Sequence, residues 1–320
     1  MVSRDYMGPV KNIDQCQSDE SISLYCGFNN PEDMALLPDN KFFLMSEFGG
    51  IKPYEEKDGE GSFALLRISD GAKIIPQIKF GENVWGDPSC KRNPSDNFGP
   101  HGVDLIQRDD GLIQFGVVNH SPFESVEFFE LTQDANSWLM TWRGCVIAPE
   151  ENYFNDLSIK RDGSFYVTHM YERDITVNEW LSAALFKYST GYVLKWDKKN
   201  FSKVVGSDGG QPNGIGLDED SELLYVNYNL GDELRVISLL NGESIGRYKI
   251  NSPDNMILLD QSIWLTSLDH ETIDVMMNCD IEISVTCSLP FSIHEIDLVS
   301  LKKKNIYSFQ ETVFGFPTTA

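Results

Sequence analysis

The sequence has 320 residues, of which 41% are hydrophobic and 12% aromatic, enough apolar material for one large domain or two ordinary ones. With 26 basic and 49 acidic residues the formal net charge is −23, so nucleic acid and anionic membrane surfaces are not expected as partners. No apolar run is long enough to cross a bilayer, and we expect no membrane span. Such acidity suits hard cations, although a solvated acidic face is its commoner cause.

The N-terminal segment, residues 1–27, is expected to lie outside the main domain. Its first twenty residues carry charges throughout and lack the apolar region of a secretory signal, which leaves a cytoplasmic protein and a processed exported form as alternatives. Residues 21–28 could add an outer strand to a sheet. The six cysteines contain no CxxC pair, so thiolate-bound zinc is not expected. Buried or free thiols are preferred over loop disulfides pairing Cys16 with Cys26 and Cys279 with Cys287.

One unit recurs five times along the rest of the chain, and each copy is predicted to be a β-hairpin. The unit is a short polar motif, a few apolar residues, an acidic turn and a run rich in β-branched and aromatic residues. Asp-Asn, Asp-Gly and Asp-Gln pairs at the turns tolerate left-handed backbone geometry. The copies begin with Pro31-Glu32-Asp33, Pro100-His101-Gly102, Phe154-Asn155-Asp156, Pro212-Asn213-Gly214 and Pro253-Asp254-Asn255.

The spacing of the copies predicts an all-β fold, a six-bladed β-propeller. Starts at residues 31, 100, 154, 212 and 253 match four-stranded blades with outer loops of variable length, arranged around a central tunnel. A sixth motif, Phe316-Pro317-Thr318, is followed only by Thr319 and Ala320, so the sixth blade is expected to be incomplete and the chain truncated at its C-terminus. Residues 28–320 would form the propeller domain.

One helix is predicted between the third and fourth copies. Apolar residues recur at helical spacing within residues 176–188, namely Val177, Trp180, Leu181, Ala184 and Leu185. A core helix would need a second layer to cover it, and the end of a propeller tunnel offers such a layer. We therefore expect this helix on a loop between blades, as a short lid over the tunnel.

The repeated motifs place oxygen donors at equivalent positions. Inner strands of a propeller start at the same end of the channel, so these residues become neighbours: Glu32, His101, Asn155, Asn213, Asp254 and Asn255, with Asp33 and Asp156 one step further along. Carboxylate and amide oxygens in this number favour calcium over zinc or magnesium. Any one of them alone is more often a turn or cap residue. Because nearly every copy carries an oxygen donor in place of an ordinary turn residue, a calcium site is favoured.

Two histidines belong to the second copy. His101 heads its first strand and His120 follows its second strand, about equally far from the turn, so both can face the same end of the channel. An ordinary pKa of about 6.5 suits histidine to accept a proton from water near neutrality. The alternative is a strand cap and a surface loop residue. The remaining histidines, His169, His270 and His294, are interpreted as structural.

Several catalytic classes lack their motifs in this sequence. There is no GxSxG elbow, no HExxH helix, no GxxxxGK[ST] loop and no GxGxxG turn that opens a helix. Serine hydrolase, zinc protease and nucleotide-binding functions are therefore not expected.

The ordered motifs resemble the calcium-dependent paraoxonase and arylesterase family, six-bladed propellers related to the gluconolactonases. The segments that carry the resemblance span roughly residues 28–320 and are Pro31-Glu32-Asp33-Met34, Phe98-Gly99-Pro100-His101-Gly102-Val103, Val117-Val118-Asn119-His120, Asn155-Asp156-Leu157, Pro212-Asn213-Gly214-Ile215 and Asp254-Asn255. Residues 171–188 fall where relatives carry a helix over the active site. The hydrophobic N-terminal helix of some relatives is absent, so lipid association is not expected.

The resemblance implies two calcium ions in the tunnel. The catalytic ion would be held by Glu32, Asn155, Asn213, Asp254 and Asn255. A deeper structural ion would be held by Asp33, Asp156 and the backbone carbonyl of Val103. His101 and His120 match the histidine dyad proposed for the family, which hydrolyses lactones, aryl esters and some organophosphates.

Two functional hypotheses follow from the sequence. The first is a calcium-dependent hydrolase of lactones or aryl esters, with water as nucleophile, His101 as base assisted by His120, and calcium as Lewis acid. The alternative is a non-catalytic, calcium-stabilised propeller that binds a small ligand or a protein, since a fold does not fix a function.

Overall fold

The structure, a computed structural model, describes residues 17–18, 20, 22–48, 61–134, 137–270, 274–275, 288–310 and 315–320. In these residues the chain forms an all-β propeller of five blades with one helix. The first blade consists of β1 (Pro31–Leu36), β2 (Phe42–Glu47), β3 (Ser62–Arg67) and β4 (Lys73–Ile74). The second consists of β5 (Gln77–Phe80), β6 (Pro100–Gln107), β7 (Ile113–Asn119), β8 (Ser125–Asp134) and β9 (Ser137–Ile147).

The remaining blades follow the same pattern. The third contains β10 (Asn152–Ile159), β11 (Phe165–Glu172), α1 (Val177–Phe186), β12 (Tyr192–Trp196) and β13 (Phe201–Lys203). The fourth contains β14 (Pro212–Asp218), β15 (Leu223–Tyr228), β16 (Glu233–Ser238) and β17 (Ser244–Lys249). The fifth contains β18 (Pro253–Leu259), β19 (Ser262–Leu268), β20 (Phe291–Asp297) and β21 (Lys303–Phe309).

Each blade is an antiparallel meander in which consecutive strands are neighbours. The exception is β5, which adds to the second blade by pairing in parallel with β9. The predicted hairpins correspond to the pairs β1–β2, β6–β7, β10–β11, β14–β15 and β18–β19. The first strand of each hairpin contacts the first strand of the next blade, from β1 through to β18. These five strands line the centre of the propeller.

The prediction of six blades is wrong. The described strands make up five sheets, and the sixth motif lies in residues 315–320, which form no strand. The segment instead lies between the fifth and first blades. The carbonyl oxygen of Thr318 accepts the backbone N–H of Asn255 at 2.8 Å, and the Thr318 hydroxyl donates to the carbonyl oxygen of Glu32.

The predicted helix is present, but its position differs from the prediction. It connects the second and third strands of the third blade and does not join two blades. A capping box between Thr176 and Glu179 fixes its start, and Lys187 ends it in a left-handed conformation. Asn152 at the start of β10 pairs with Glu172 at the end of β11, so the helix follows at the end of the blade where β10 begins.

Hydrophobic side chains fill the spaces between neighbouring blades. Phe63 of the first blade contacts Phe115 and Phe129 of the second, with ring centroids 6.1 and 5.5 Å apart. Phe128 of the second blade packs on Phe165 of the third at 5.8 Å. Similar clusters join the third blade to the fourth and the fourth to the fifth. Because strand side chains alternate between the two faces, each sheet contributes to two of these cores.

The prediction that the cysteines are buried or free thiols is also wrong. Cys90 and Cys145 form a disulfide bond across 55 residues, and Cys26 is disulfide-bonded as well. Cys16, Cys279 and Cys287 lie outside the described residues. Of the segment predicted as an outer strand, residues 22–28 are described and contain no strand. No helix in the described ranges is long and apolar enough to cross a membrane.

Candidate metal centre and histidine pair

A β-bulge in every inner strand positions the candidate site. The register of β1 with β2 shifts between Pro31 and Asp33, and that of β6 with β7 shifts between Pro100 and Val103. The other three hairpins shift at the equivalent place, around residues 155–156, 213–214 and 254–255. Bulged residues leave the hydrogen-bond ladder, and bulges often re-aim side chains next to functional sites. The residues of the repeated motif therefore lie at the bulges, which face the channel.

Four predicted ligands present buried oxygen atoms that have no hydrogen-bond partner. These atoms are Glu32 Oε2, Asn155 Oδ1, Asn213 Oδ1 and Asn255 Oδ1. Asn255 Nδ2 donates to Glu32 Oε1 at 2.8 Å, and Glu32 and Asn155 both face His101 Nε2. Unpaired buried oxygens each cost about 1–3 kcal/mol, and carboxylate and amide oxygens are the donors that calcium uses. This donor set fits a calcium ion.

The carboxyl groups of the channel repel one another. Burial raises the pKa of Asp254 to about 8, and the charge of Glu32 adds to the effect. Burial and the Glu32 charge also raise the pKa of Asp33, while burial and the Asp33 charge raise that of Asp156. A cation among these groups would favour their charged forms. In the described residues no group of three His, Cys, Asp or Glu side chains could hold a metal ion. A calcium ion in the channel would therefore also use the asparagine oxygens.

Asp33 and Asp156 connect neighbouring blades. Asp33 of the first blade accepts the N–H of Val103 in the second with its Oδ2 at 2.8 Å. Asp156 of the third blade accepts the N–H of Ile215 in the fourth with its Oδ2 at 2.9 Å. The second oxygen of each carboxylate accepts the N–H of the following residue, Met34 or Leu157. These two residues therefore hold the inner strands in place, and the deeper calcium ion stays a prediction.

His101 and His120 form a hydrogen-bonded pair beside this set. His101 Nδ1 lies 2.7 Å from His120 Nε2. The other nitrogen of His101, Nε2, lies 3.5 Å from Glu32 Oε1 and 3.3 Å from Asn155 Nδ2. Burial disfavours the charged form of His101, but the carboxylates of Glu32 and its neighbours outweigh burial and raise its pKa. The structure thus brings together the histidines and the predicted ligands, although the sequence placed them up to 223 residues apart.

Three residues of the site were not predicted. Glu124 Oε2 lies 2.8 Å from His120 Nδ1, Phe48 stacks on His101 with ring centroids 4.5 Å apart, and Tyr153 stacks on His120 at 4.5 Å. A carboxylate four residues after His120 was the available sequence signal for Glu124. The two aromatic contacts had no local signal because they join different blades.

The other three histidines lie apart from this pair. His169 Nδ1 accepts the backbone N–H of Tyr153 at 3.2 Å, and burial lowers the pKa of His169 to about 4. His270 Nδ1 lies 2.8 Å from the carbonyl oxygen of Pro290. His294 lies between the Tyr248 hydroxyl and the Ser292 hydroxyl, on the outer strands of the last two blades.

Residues 124–251 match the family model described as SMP-30/Gluconolactonase/LRE-like region. The match covers less than half of the chain and includes Glu124, Asn155, Asp156 and Asn213. It supports a relation to gluconolactonase-like propellers over that range and does not single out paraoxonases or arylesterases. No curated protein sequence matches the chain.

Solved structures support the propeller fold. A chain of a nidogen–laminin complex has a TM-score of 0.50 at 11% identity, covering 88% of this chain and 80% of that one. A hypothetical selenium-binding protein from Sulfolobus tokodaii has a TM-score of 0.50 at 13% identity, covering 89% and 67%. At these identities the similarity concerns the fold alone.

Proposed function

We propose that this protein is a calcium-dependent hydrolase of lactones or aryl esters. The main support is the position of His101 Nε2, which faces Glu32 and Asn155. These two residues supply two of the four buried oxygens that have no hydrogen-bond partner. A proton acceptor next to a set of calcium-type donors is the arrangement that water activation at a carbonyl requires. The partial match to a gluconolactonase-like family supports the same chemistry.

The catalytic ion would be held by Glu32, Asn155, Asn213, Asp254 and Asn255. When bound, it would supply a Lewis acid that polarises the substrate carbonyl. A second ion at Asp33, Asp156 and the carbonyl oxygen of Val103 would be structural, because the two carboxylates already connect neighbouring blades. Burial raises the pKa of both aspartates, with the Glu32 charge adding to the effect at Asp33 and the Asp33 charge at Asp156, and a cation there would offset this repulsion.

The other side chains of this site have separate roles in the proposed reaction. His101 Nε2 accepts the proton of the attacking water, and His120 supports the resulting imidazolium through the 2.7 Å contact with Nδ1. Phe48 and Tyr153 hold the two imidazole rings by stacking. Both aromatic rings are only partly buried, so they also offer an apolar surface to the acyl or aryl group of a substrate.

The test is hydrolysis of an aliphatic δ-lactone, a sugar lactone and phenyl acetate by the calcium-loaded protein. We expect turnover of at least one substrate, and we expect His101→Gln to lower kcat by about 10²- to 10⁴-fold, the usual contribution of a general base. Calcium-dependent thermal stabilisation should persist in His101→Gln. The control His294→Gln changes a histidine on the outer strands and should keep kcat within about threefold.

The result separates the enzyme from a binding propeller. Turnover that depends on His101 supports the hydrolase. Unchanged turnover in His101→Gln removes the proposed base. No turnover of any substrate by folded, calcium-loaded protein contradicts the proposal and favours a calcium-stabilised propeller that binds a ligand.

A further inference from the structure

Glu124 joins the histidine pair to the strand that carries Asn155. Its Oε2 lies 2.8 Å from His120 Nδ1, and its Oε1 accepts the backbone N–H of Phe154 at 2.7 Å. The residue is 6% exposed, so both contacts are shielded from water. Phe154 directly precedes Asn155 at the bulge of β10. One carboxylate therefore fixes both a histidine and the backbone next to a proposed calcium ligand.

The contact with Glu124 determines the tautomers of both histidines. An ionised carboxylate only accepts hydrogen bonds, so His120 Nδ1 must carry the hydrogen. In a neutral imidazole the other nitrogen is then an acceptor, and His120 Nε2 receives the hydrogen from His101 Nδ1 across 2.7 Å. His101 Nε2 is left with its lone pair. This lone pair faces the Asn155 amide nitrogen, a donor, at 3.3 Å, while Glu32 Oε1 lies 3.5 Å from His101 Nε2, beyond the usual hydrogen-bond distance.

We propose that Glu124 is a positioning residue that holds His101 in the tautomer whose Nε2 lone pair faces the calcium-type oxygens. Its consequence for turnover rests on the proposed hydrolase function. In the reaction, one O–H bond of water breaks, its proton goes to His101 Nε2, and the hydroxide oxygen bonds to the acyl carbon. The Glu124 carboxylate stabilises the positive charge of the imidazolium through its hydrogen bond with His120. The bond between the acyl carbon and the leaving oxygen then breaks, and His101 returns the proton to that oxygen.

Replacing Glu124 by glutamine should reverse the tautomers. The amide oxygen would keep the bond from Phe154 N–H, because the opposite orientation would set two donors against each other. The amide NH₂ group would then donate to His120 Nδ1, which forces a hydrogen onto His120 Nε2 and onto His101 Nε2. Histidine tautomers can be assigned by ¹⁵N NMR, and the five histidines of this chain make the spectrum simple.

The experiment compares calcium-loaded wild type, Glu124→Gln and the control Glu151→Gln, which removes an exposed carboxylate just before the same strand. We expect the His120 hydrogen on Nδ1 in wild type and control, and on Nε2 in Glu124→Gln. With the best lactone or ester substrate, kcat of Glu124→Gln should fall by about 10²- to 10⁴-fold while KM changes by less than about threefold. Glu124→Asp keeps a carboxylate and should recover part of kcat.

The two readouts separate the two proposals. A wild-type His120 that carries its hydrogen on Nε2, or unchanged tautomers in Glu124→Gln, would overturn the role of Glu124. Turnover of Glu124→Gln equal to that of the Glu151→Gln control would also overturn it. If no variant hydrolyses any substrate, the hydrolase function fails, and the NMR result alone decides whether Glu124 sets the tautomers. Should Glu124→Gln fail to fold, the wild-type spectrum and the Glu124→Asp variant provide the test.

Discussion

Arg92 and Glu127 form a fully buried ion pair close to the two histidines. Arg92 Nη1 lies 2.9 Å from Glu127 Oε1 and also donates to the carbonyl oxygen of Ser121, the residue after His120. Its Nη2 donates to the carbonyl oxygen of Asn97, four residues before His101. One guanidinium thus links the two chain segments that carry the histidine pair. Removing its carboxylate partner would leave an uncompensated buried charge.

Two glutamates of the same strand should therefore differ strongly in their contribution to stability. Glu127→Gln should lower the free energy of unfolding by about 3–5 kcal/mol, since Arg92 stays buried without its partner. Glu130→Gln breaks the more exposed pair with Arg143 and should cost less than about 1 kcal/mol. Urea denaturation of both variants measures the difference. Equal losses of stability would show that the buried Arg92–Glu127 pair does not stabilise the segments around the two histidines.

At the scale of the elements, the bulges set how closely the inner strands approach. Gly102 lies in the bulge of β6, and a Cβ atom there would stand 2.5 Å from Asp156 Cα and 2.6 Å from the carbonyl oxygen of Asn155. Backbone at that distance cannot give way without moving β10. The absence of a side chain at residue 102 therefore allows the second and third blades to meet at the proposed calcium ligands.

Gly102→Ala should move Asn155 and weaken calcium binding by at least about tenfold, because the bulge would be forced away from its neighbour. The control is Gly111→Ala in the β6–β7 turn, where a Cβ would meet nothing within 4 Å. Its positive φ of 84° makes the change cost about 1 kcal/mol of stability, with calcium affinity unchanged. Calorimetric titration measures both affinities. Wild-type affinity in Gly102→Ala would refute the packing argument.

The hairpins and the channel residues could be predicted from the sequence because each copy repeats a local pattern. Turn pairs, alternating strands and a polar motif at a fixed offset are all short-range signals. The blade count was wrong because Phe316-Pro317-Thr318 resembles the motif but forms no strand, and Thr318 instead bonds to the first and fifth blades. Phe48 could not be assigned to the histidines, since its contact depends on how separate blades pack, whereas the only signal for Glu124 was its position four residues after His120. The Cys90–Cys145 bond likewise joins distant positions.

In the molecule as a whole, contacts between the inner strands at the centre of the propeller connect the blades. Asn255 of the fifth blade donates to Glu32 of the first, while Asp33 and Asp156 connect the first blade to the second and the third to the fourth. An ion bound by these residues would therefore link blades that are distant in sequence. With a net charge of −23, the folded chain also gains from a neutralising cation at its centre.

Calcium should therefore stabilise the whole propeller. Binding to the folded state alone raises the free energy of unfolding by RT ln(1 + [L]/Kd), about 2.7 kcal/mol at a calcium concentration of 100 Kd. We expect the Tm of EGTA-stripped protein to rise with calcium concentration, measured by calorimetry, and magnesium at equal concentration to have a smaller effect. A Tm that is independent of calcium would argue against an ion that links the blades.

A calorimetric calcium titration of EGTA-stripped protein is the most direct test of the calcium site in the channel. We expect at least one ion to bind with a Kd below about 1 mM, the weakest range of protein calcium sites. Asn213→Ala, which removes one of the unpartnered buried oxygens, should abolish or strongly weaken this binding. Asn305→Ala, which removes an exposed amide on β21, should leave it unchanged. Folded wild-type protein that binds no calcium would contradict a calcium site in the channel and the hydrolase proposed to depend on it.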